Sequence, residues 1–247
     1  MKLLIRAPVA PLLAEPRIAS EQLTQVLRGH SCTVLEERGE WLRAAAADDG
    51  YEGWLNAGYA MSEGSTPRAM SLGCIVESDE GVMALPFGAL LFDSEKISSG
   101  EQVSIAQLRA LFPPIADSVT ATALKYFRGT PYLWGGVTPW GADCSGFVQS
   151  VFRTHGVAMK RDSTMQAAAG RESTSDLGNH EPGELLFFSE RSDRRVTHVG
   201  IGLGAARMVH VALGRGGYSV EDLSERNSAD SYVSRLAERF CFARRMF

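Results

Sequence analysis

The chain opens on short apolar runs separated by turns, not on long periodic ones. Cys32 to Glu36 and Glu40 to Ala44 read as half-buried strands, and residues 1–60 carry no sustained helical period. Asp49-Gly50-Tyr51-Glu52-Gly53-Trp54-Leu55 closes this stretch, with two glycines bracketing a turn and Trp54 placed to fill a small core. Ser, Glu, Gly, Thr and Pro cluster from Met61 to Pro67 and mark a linker. Residues 68–114 show the same alternation of short runs and turns, with Cys74-Ile75-Val76-Glu77, a turn at Asp79-Glu80-Gly81, Val82 to Leu85, then Ala89 to Asp93. The pattern predicts two small β modules, 1–62 and 68–114.

The period changes at Ile115. Asp117-Ser118 is expected to cap a helix in which Ala121, Leu124, Lys125 and Phe127 recur at helical spacing, with Gly129 as the stop. Asp143 then reads as the N-cap of a helix over Ser145 to Thr154, whose apolar face is Phe147, Val148, Val151 and Phe152 and whose end is Gly156. A short helix, Thr164 to Ala169, is expected behind Asp162 or Ser163. Four strands follow: Glu184 to Ser189, Thr197 to Leu203, Met208 to Ala212 and Phe240 to Met246. Helices first and an antiparallel sheet afterwards predict an α+β domain over 115–247.

Composition narrows the function classes. The 247 residues are 45% hydrophobic and 22% charged, enough apolar material for a buried core. A net charge of -4 without a basic stripe argues against nucleic acid and anionic membrane surfaces as partners. Arg6, Pro8, Pro11, Glu15 and Pro16 interrupt the first apolar run before it can act as an export signal, and no stretch approaches the roughly 18 apolar residues of a membrane span, so a cytoplasmic location is expected. Cys32, Cys74, Cys144 and Cys241 are scattered, with no close pair for zinc or redox work, and free thiols fit a reducing compartment.

Cys144 is the candidate for chemistry because it falls at a predicted helix N-terminus, where partial positive charge and free N–H groups favour a thiolate. A histidine within reach would complete a thiolate–imidazolium pair. Of His30, His155, His180, His198 and His210, only His198 and His210 fall on predicted strands among apolar residues, twelve positions apart. Neighbouring antiparallel strands could bring them together, His198 as base and His210 orienting its far ring nitrogen. Residue type alone favours a blander account, since a cysteine at a helix start is usually a small core residue and a strand histidine a satisfied, half-buried one.

The motifs tip that balance. Pro131-Tyr132-Leu133-Trp134-Gly135-Gly136, Asp143-Cys144-Ser145-Gly146-Phe147, Pro182-Gly183-Glu184-Leu185-Leu186-Phe187-Phe188, Thr197-His198-Val199-Gly200-Ile201 and Val209-His210 follow one another in order. This series resembles that of the NlpC-type, papain-like cysteine peptidases of bacterial cell-wall peptides, and covers about residues 116–247. Gly50-Tyr51-Glu52-Gly53-Trp54 resembles the signature of bacterial SH3-like β-barrels, so the expected architecture is two such barrels before a papain-like domain. The insertion Ser189 to Arg195 departs from the shortest family members and affects local loop shape.

That resemblance implies Cys144 as nucleophile, His198 as base and His210 as third polar member, with no metal or cofactor. It is similar to murein-peptide recycling enzymes that cut between the γ-carboxyl of D-Glu and meso-diaminopimelate or L-Lys in peptides with a free L-Ala amino terminus. By the same resemblance Tyr132 and Trp134 line the cleft, Asp143 and Ser145 flank the nucleophile, and Asp162 with Ser163 holds the D-Glu portion. Capping is an equal reading for Asp143 and Ser163. The substrate ammonium calls for an acidic side chain from the first module, with Glu21, Glu52, Tyr51 and Tyr59 as candidates, although Tyr51 also suits a barrel core. An acyltransferase using the same Cys-His-His set, or a non-catalytic wall-binding protein, are the competing expectations.

Overall fold

The computed structural model describes residues 1–62, 64, 66–79, 81–224 and 231–247. Parts of the predicted linker at 61–67 and of the turn at Asp79-Glu80-Gly81 lie outside the described residues. The chain forms two compact units: Met1–Leu111 with Trp134–Thr138, and Phe112–Leu133 with Pro139–Phe247. No helix among the described residues is long and apolar enough to cross a membrane.

The first unit begins with strands β1 (Lys2–Ile5), β2 (Val9–Leu13), β3 (Gln22–Leu27), β4 (Ser31–Arg38), β5 (Trp41–Ala46), β6 (Glu52–Asn56) and β7 (Ala60–Ser62). They form one antiparallel sheet in the order β3-β2-β6-β5-β4-β1-β7. Its buried face gathers Leu3, Ile5, Leu12, Val26, Cys32, Leu42 and Leu55. The alternation read from sequence produces this, because successive strand side chains point to opposite faces. A second sheet holds β8 (Ala69–Ser78), β9 (Gly81–Leu85), β10 (Leu90–Leu91) and β11 (Lys96–Ser104), with β8 paired to the other three. Leu27 from the first sheet is buried with Val76, Leu85 and Leu91 of the second, in a cluster separate from the one on the first sheet's own buried face. The short helix α1 (Leu108–Leu111) ends this part.

In the second unit, α2 (Ala116–Tyr126) begins one residue before the expected cap: Ile115 occupies the cap position without a side-chain hydrogen bond, and Asp117 lies inside the first turn. Its buried stripe is Val119, Thr122 and Ala123, while Ala121 and Leu124 are exposed, because the packing partners set which arc faces inward. Strand β12 (Val137–Thr138) belongs to the first unit, and β13 (Gly141–Ala142), α3 (Cys144–Thr154) and α4 (Ser163–Gln166) continue the second. Strands β14 (Arg171–Thr174), β15 (Leu185–Phe188), β16 (His198–Gly204), β17 (Arg207–Ala212) and β18 (Gly217–Asp222), helix α5 (Ser231–Glu238) and strand β19 (Phe240–Arg245) complete the chain. A six-stranded antiparallel sheet runs β14-β19-β15-β16-β17-β18. Helix α3 packs against β16 and β17, and Leu186, Phe188 and Met208 are buried with Val233, Leu236 and Ala237 of α5.

The start of α3 is fixed by charge. Asp143 Oδ1 accepts from the Gly146 N–H at 2.7 Å, the cap expected from sequence. The same carboxylate is held by Arg161, with Nη2 at 2.5 Å from Oδ2, and the two side chains are only 7% and 2% exposed. Arg161 Nη1 also donates to Ser145 Oγ at 2.9 Å. Truncating Asp143 therefore removes a cap and strips a buried guanidinium of its anion. Asp143→Ala should cost about 3–5 kcal/mol in urea unfolding. A loss within about 0.5 kcal/mol, the size of an ordinary surface change, would contradict this account of α3.

Candidate active site

Strand register decides what can meet the thiol. In the β16–β17 pair Ile201 lies opposite Val209, which places Gly200 opposite His210 and His198 one diagonal step away on the same face. Diagonal neighbours lie about 7–8 Å apart at Cα, within reach of two imidazoles. Gly200 keeps that space open: a Cβ there would lie 2.4 Å from Met208 Cε and 3.2 Å from His210 Cβ. His198 Nε2 and His210 Nδ1 are accordingly 2.8 Å apart, with the rings near perpendicular at 74°. His198 also packs against Phe188, and His210 against Tyr232.

Cys144 is the first residue of α3, partly exposed, and the backbone N–H groups of Val199 and Ser145 act on its sulfur. Contact with the Val199 N–H puts the thiol at the first residues of β16, beside His198. Burial and the Asp143 carboxylate push the thiol up to about 12, against the opposing pull of Val199, Arg161 and Ser145. Burial, then the neighbouring His210, hold His198 well below the ordinary imidazole value. Burial thus works against the thiolate on Cys144 and against the imidazolium on His198 alike. At the sulfur burial is the larger cause, and the anionic N-cap Asp143 adds to it.

Tyr132 is held from both sides. Its N–H donates to Gly216 O at 2.9 Å, and it bridges to Ala142. Gly217 has no room for a side chain, since a Cβ would sit 2.2 Å from Thr130 O. Burial, then Cys144 and Asp143, push the Tyr132 hydroxyl up to about 12, so it stays a neutral donor near the sulfur. Ser145 is buried and its Oγ is bound to Asp143 and Arg161. Asp162 stands at the N-cap position of α4 without a side-chain cap bond, although its carbonyl accepts from Met165 and Gln166, and Ser163 begins the helix. The structure thus gathers Cys144, His198, His210, Tyr132, Asp143 and Ser145 in the second unit.

Trp134 belongs to the first unit. Its indole N–H donates to Glu21 Oε1 at 2.9 Å, and its carbonyl accepts from Gln22 Nε2 at 2.8 Å. Gly135, at φ +74, lets the chain run that close, because a Cβ would sit 2.6 Å from Gln22 O. Glu21 and Trp134, distant in sequence, are thereby brought together, whereas Tyr51 sits in the turn before β6 with its N–H on Asp49 Oδ1. Among the described residues, no group of three or more His, Cys, Asp or Glu side chains could hold a metal ion.

Sequence reasoning missed four residues. Arg161 reads as part of a solvated Lys160-Arg161-Asp162 run, and only the fold reveals it as the buried partner of Asp143. The strand β18 is absent from the predicted elements, and with it Arg215, Ser219 and Glu221. His210 Nε2 is 3.4 Å from Glu221 Oε1, which also accepts from Ser219 Oγ at 2.6 Å and Arg215 Nε at 2.8 Å. A signal was available, because the glycines around Arg215 mark a hairpin turn that would pair 217–222 with the strand carrying His210.

Comparison with known proteins agrees with this geometry. Residues 129–237 match the NlpC/P60 family, and residues 12–58 match the bacterial dipeptidyl-peptidase Sh3 domain. A gamma-D-glutamyl-L-lysine dipeptidyl-peptidase of Bacillus subtilis is 29% identical over 89% of this chain and 81% of its own length. The probable endopeptidase NlpC of Escherichia coli is 34% identical over 41% of this chain and 69% of its own length. In fold, the crystal structure of an NlpC/P60 family protein from Bacillus cereus superposes with a TM-score of 0.81 at 20% identity, covering 100% of this chain and 99% of that one. With the Cys144 thiol set beside paired histidines and the family's matches spanning that site, this chain belongs to the NlpC/P60 family of cysteine peptidases.

Proposed function

We propose that the enzyme hydrolyses the bond between the γ-carboxyl of D-Glu and a diamino acid, meso-diaminopimelate or L-Lys, in murein peptides with a free N-terminal L-Ala. The observation that carries the chemistry is the thiol at the start of β16, next to an imidazole whose Nε2 is already engaged by His210. The relatives' names and the dipeptidyl-peptidase type of the first module support the substrate class. A cytoplasmic, recycling role follows from the same reading.

In this reading Sγ attacks the γ-glutamyl carbonyl carbon as its proton passes to His198 Nδ1. The Cys144 N–H and the Tyr132 hydroxyl are the donors for the oxyanion. His198 then protonates the leaving amine, and water hydrolyses the thioester. Asp143, Ser145, Asp162 and Ser163 are the proposed contacts to the D-Glu portion. Glu21 and Tyr51 are the proposed first-unit contacts to the substrate ammonium. Glu21 suits the task because the Trp134 indole orients one carboxylate oxygen and a charged group satisfied by an opposite charge escapes the penalty of unpaired burial.

Neutral resting partners have a measurable signature. Iodoacetamide reacts with thiolate, so alkylation of Cys144 should climb with pH beyond about 9, the range of a raised thiol. Because the His198 value is lowered, the base stays unprotonated through neutral pH, and kcat/KM should fall only well below about pH 6.5. Alkylation that is flat from about pH 5 to 8 would instead reveal a thiolate–imidazolium pair.

Selectivity tests the substrate reading. L-Ala-γ-D-Glu-L-Lys should be cleaved about 10²-fold or more faster than its N-acetyl form, since an acetylated amine cannot offset the desolvation of a carboxylate. Glu21→Gln should narrow that ratio. Comparable kcat/KM for both peptides in the unaltered enzyme would refute the proposed specificity.

A further inference from the structure

Behind the imidazole pair lies a carboxylate that the reaction above leaves idle. In the β17–β18 pair His210 lies opposite Ser219, which puts Glu221 one diagonal step from His210 on the same face. Glu221 is buried, and its oxygens are fully engaged: Arg215 donates to both at 2.8 and 2.9 Å, Ser219 Oγ donates at 2.6 Å, and His210 Nε2 lies at 3.4 Å. Arg215 in turn stacks over the Tyr232 ring at 4.4 Å. Resting on the reading of Cys144 as nucleophile and His198 as its base, we infer that Glu221 is a positioning residue that sets the tautomer of both imidazoles and so leaves His198 Nδ1 as an unprotonated acceptor for the thiol.

Each proton along this chain of contacts has one place to go. Burial works against charge on Glu221, but hydrogen bonds from His210, Arg215 and Ser219 hold its carboxyl down at about 2, so it is an acceptor only. The His210 nitrogen facing it, Nε2, must then carry hydrogen. Burial keeps His210 neutral by lowering its value, so its Nδ1 is bare and must accept. The atom 2.8 Å away, His198 Nε2, must therefore donate. A neutral His198 with hydrogen on Nε2 has none on Nδ1, which is left to accept from the thiol. Without Glu221 the opposite register becomes available: His210 Nδ1–H would donate to a bare His198 Nε2, and the proton on His198 Nδ1 would leave the thiol without a base. Arg215 neutralises the carboxylate, so that Glu221 directs the hydrogen bond while His210 remains uncharged.

The direct test is long-range ¹H–¹⁵N NMR of ¹⁵N-histidine-labelled full-length protein at neutral pH, with Glu221→Gln alongside. In the unaltered enzyme, His198 and His210 should both show protonated Nε2 and bare Nδ1. In the variant, whose carboxamide can donate to His210 Nε2, both should move toward Nδ1–H. Its kcat should fall at least about 10-fold with KM unchanged, since a wrong tautomer in a comparable triad costs up to about 10⁴-fold. An Nδ1–H signal from either ring of the unaltered enzyme overturns the inference, as does unchanged kcat in a folded Glu221→Gln protein. If the variant does not fold, the spectrum of the unaltered enzyme decides alone. Turnover surviving Cys144→Ala would sink the peptidase reading itself, whereas Cys144-dependent turnover with the wrong tautomers would sink only this inference.

Discussion

The site depends on the antiparallel register of β16, β17 and β18. A slip of one residue would turn every side chain to the opposite face. In the observed register His198 and His210 share a face, Gly200 clears the space between them, and Ser219 and Glu221 fall in behind His210. The register is held by burial on both sides of the sheet. Leu186, Phe188 and Met208 lie in one apolar cluster with α5, while Leu185, Phe187, Val199 and Ile201 are fully buried on the opposite faces of their strands. Polar chemistry is thus mounted on strands whose position is dictated by apolar packing, and that packing keeps the imidazoles in place.

Two buried carboxylates flank the reacting groups, and each has its own arginine. Asp143 with Arg161 fixes the helix that carries the thiol, and Glu221 with Arg215 backs the imidazoles. Each pairing limits the cost of burying an anion, which alone would amount to several kcal/mol. At the thiol, burial first and then the capping aspartate beside the sulfur oppose ionisation. In the proposed mechanism activation comes at the moment of attack, when His198 takes the proton.

Local signals make much of this site legible in the sequence. Asp143 as cap, Cys144 at a helix start and the strands bearing His198 and His210 all follow from short-range rules of capping and apolar runs. What those rules do not reach depends on long-range pairing. Arg161 is charged and sits in a polar run, so nothing near it in sequence foretells 2% exposure. Glu221 becomes visible only once β18 is paired with β17, and the same holds for α5, whose Val233, Leu236 and Ala237 find their role against the sheet. Trp134 sits within a peptidase motif, yet its hydrogen bonds are with Glu21 and Gln22, more than a hundred residues earlier. The buried stripe of α2, Val119, Thr122 and Ala123, is likewise set by what packs against the helix and includes a threonine that apolar spacing does not mark.

The proposed function turns on one chemical event, transfer of the acyl group of the cleaved peptide to the Cys144 sulfur. Rapid acid quench during turnover of an L-Ala-γ-D-glutamyl substrate, followed by intact-mass and peptide mass spectrometry, tests it most directly. The account predicts a transient mass gain equal to the L-Ala-γ-D-glutamyl acyl group, located on the peptide containing Cys144 and lost on treatment with hydroxylamine. Sustained turnover with the acyl group on another residue would contradict it.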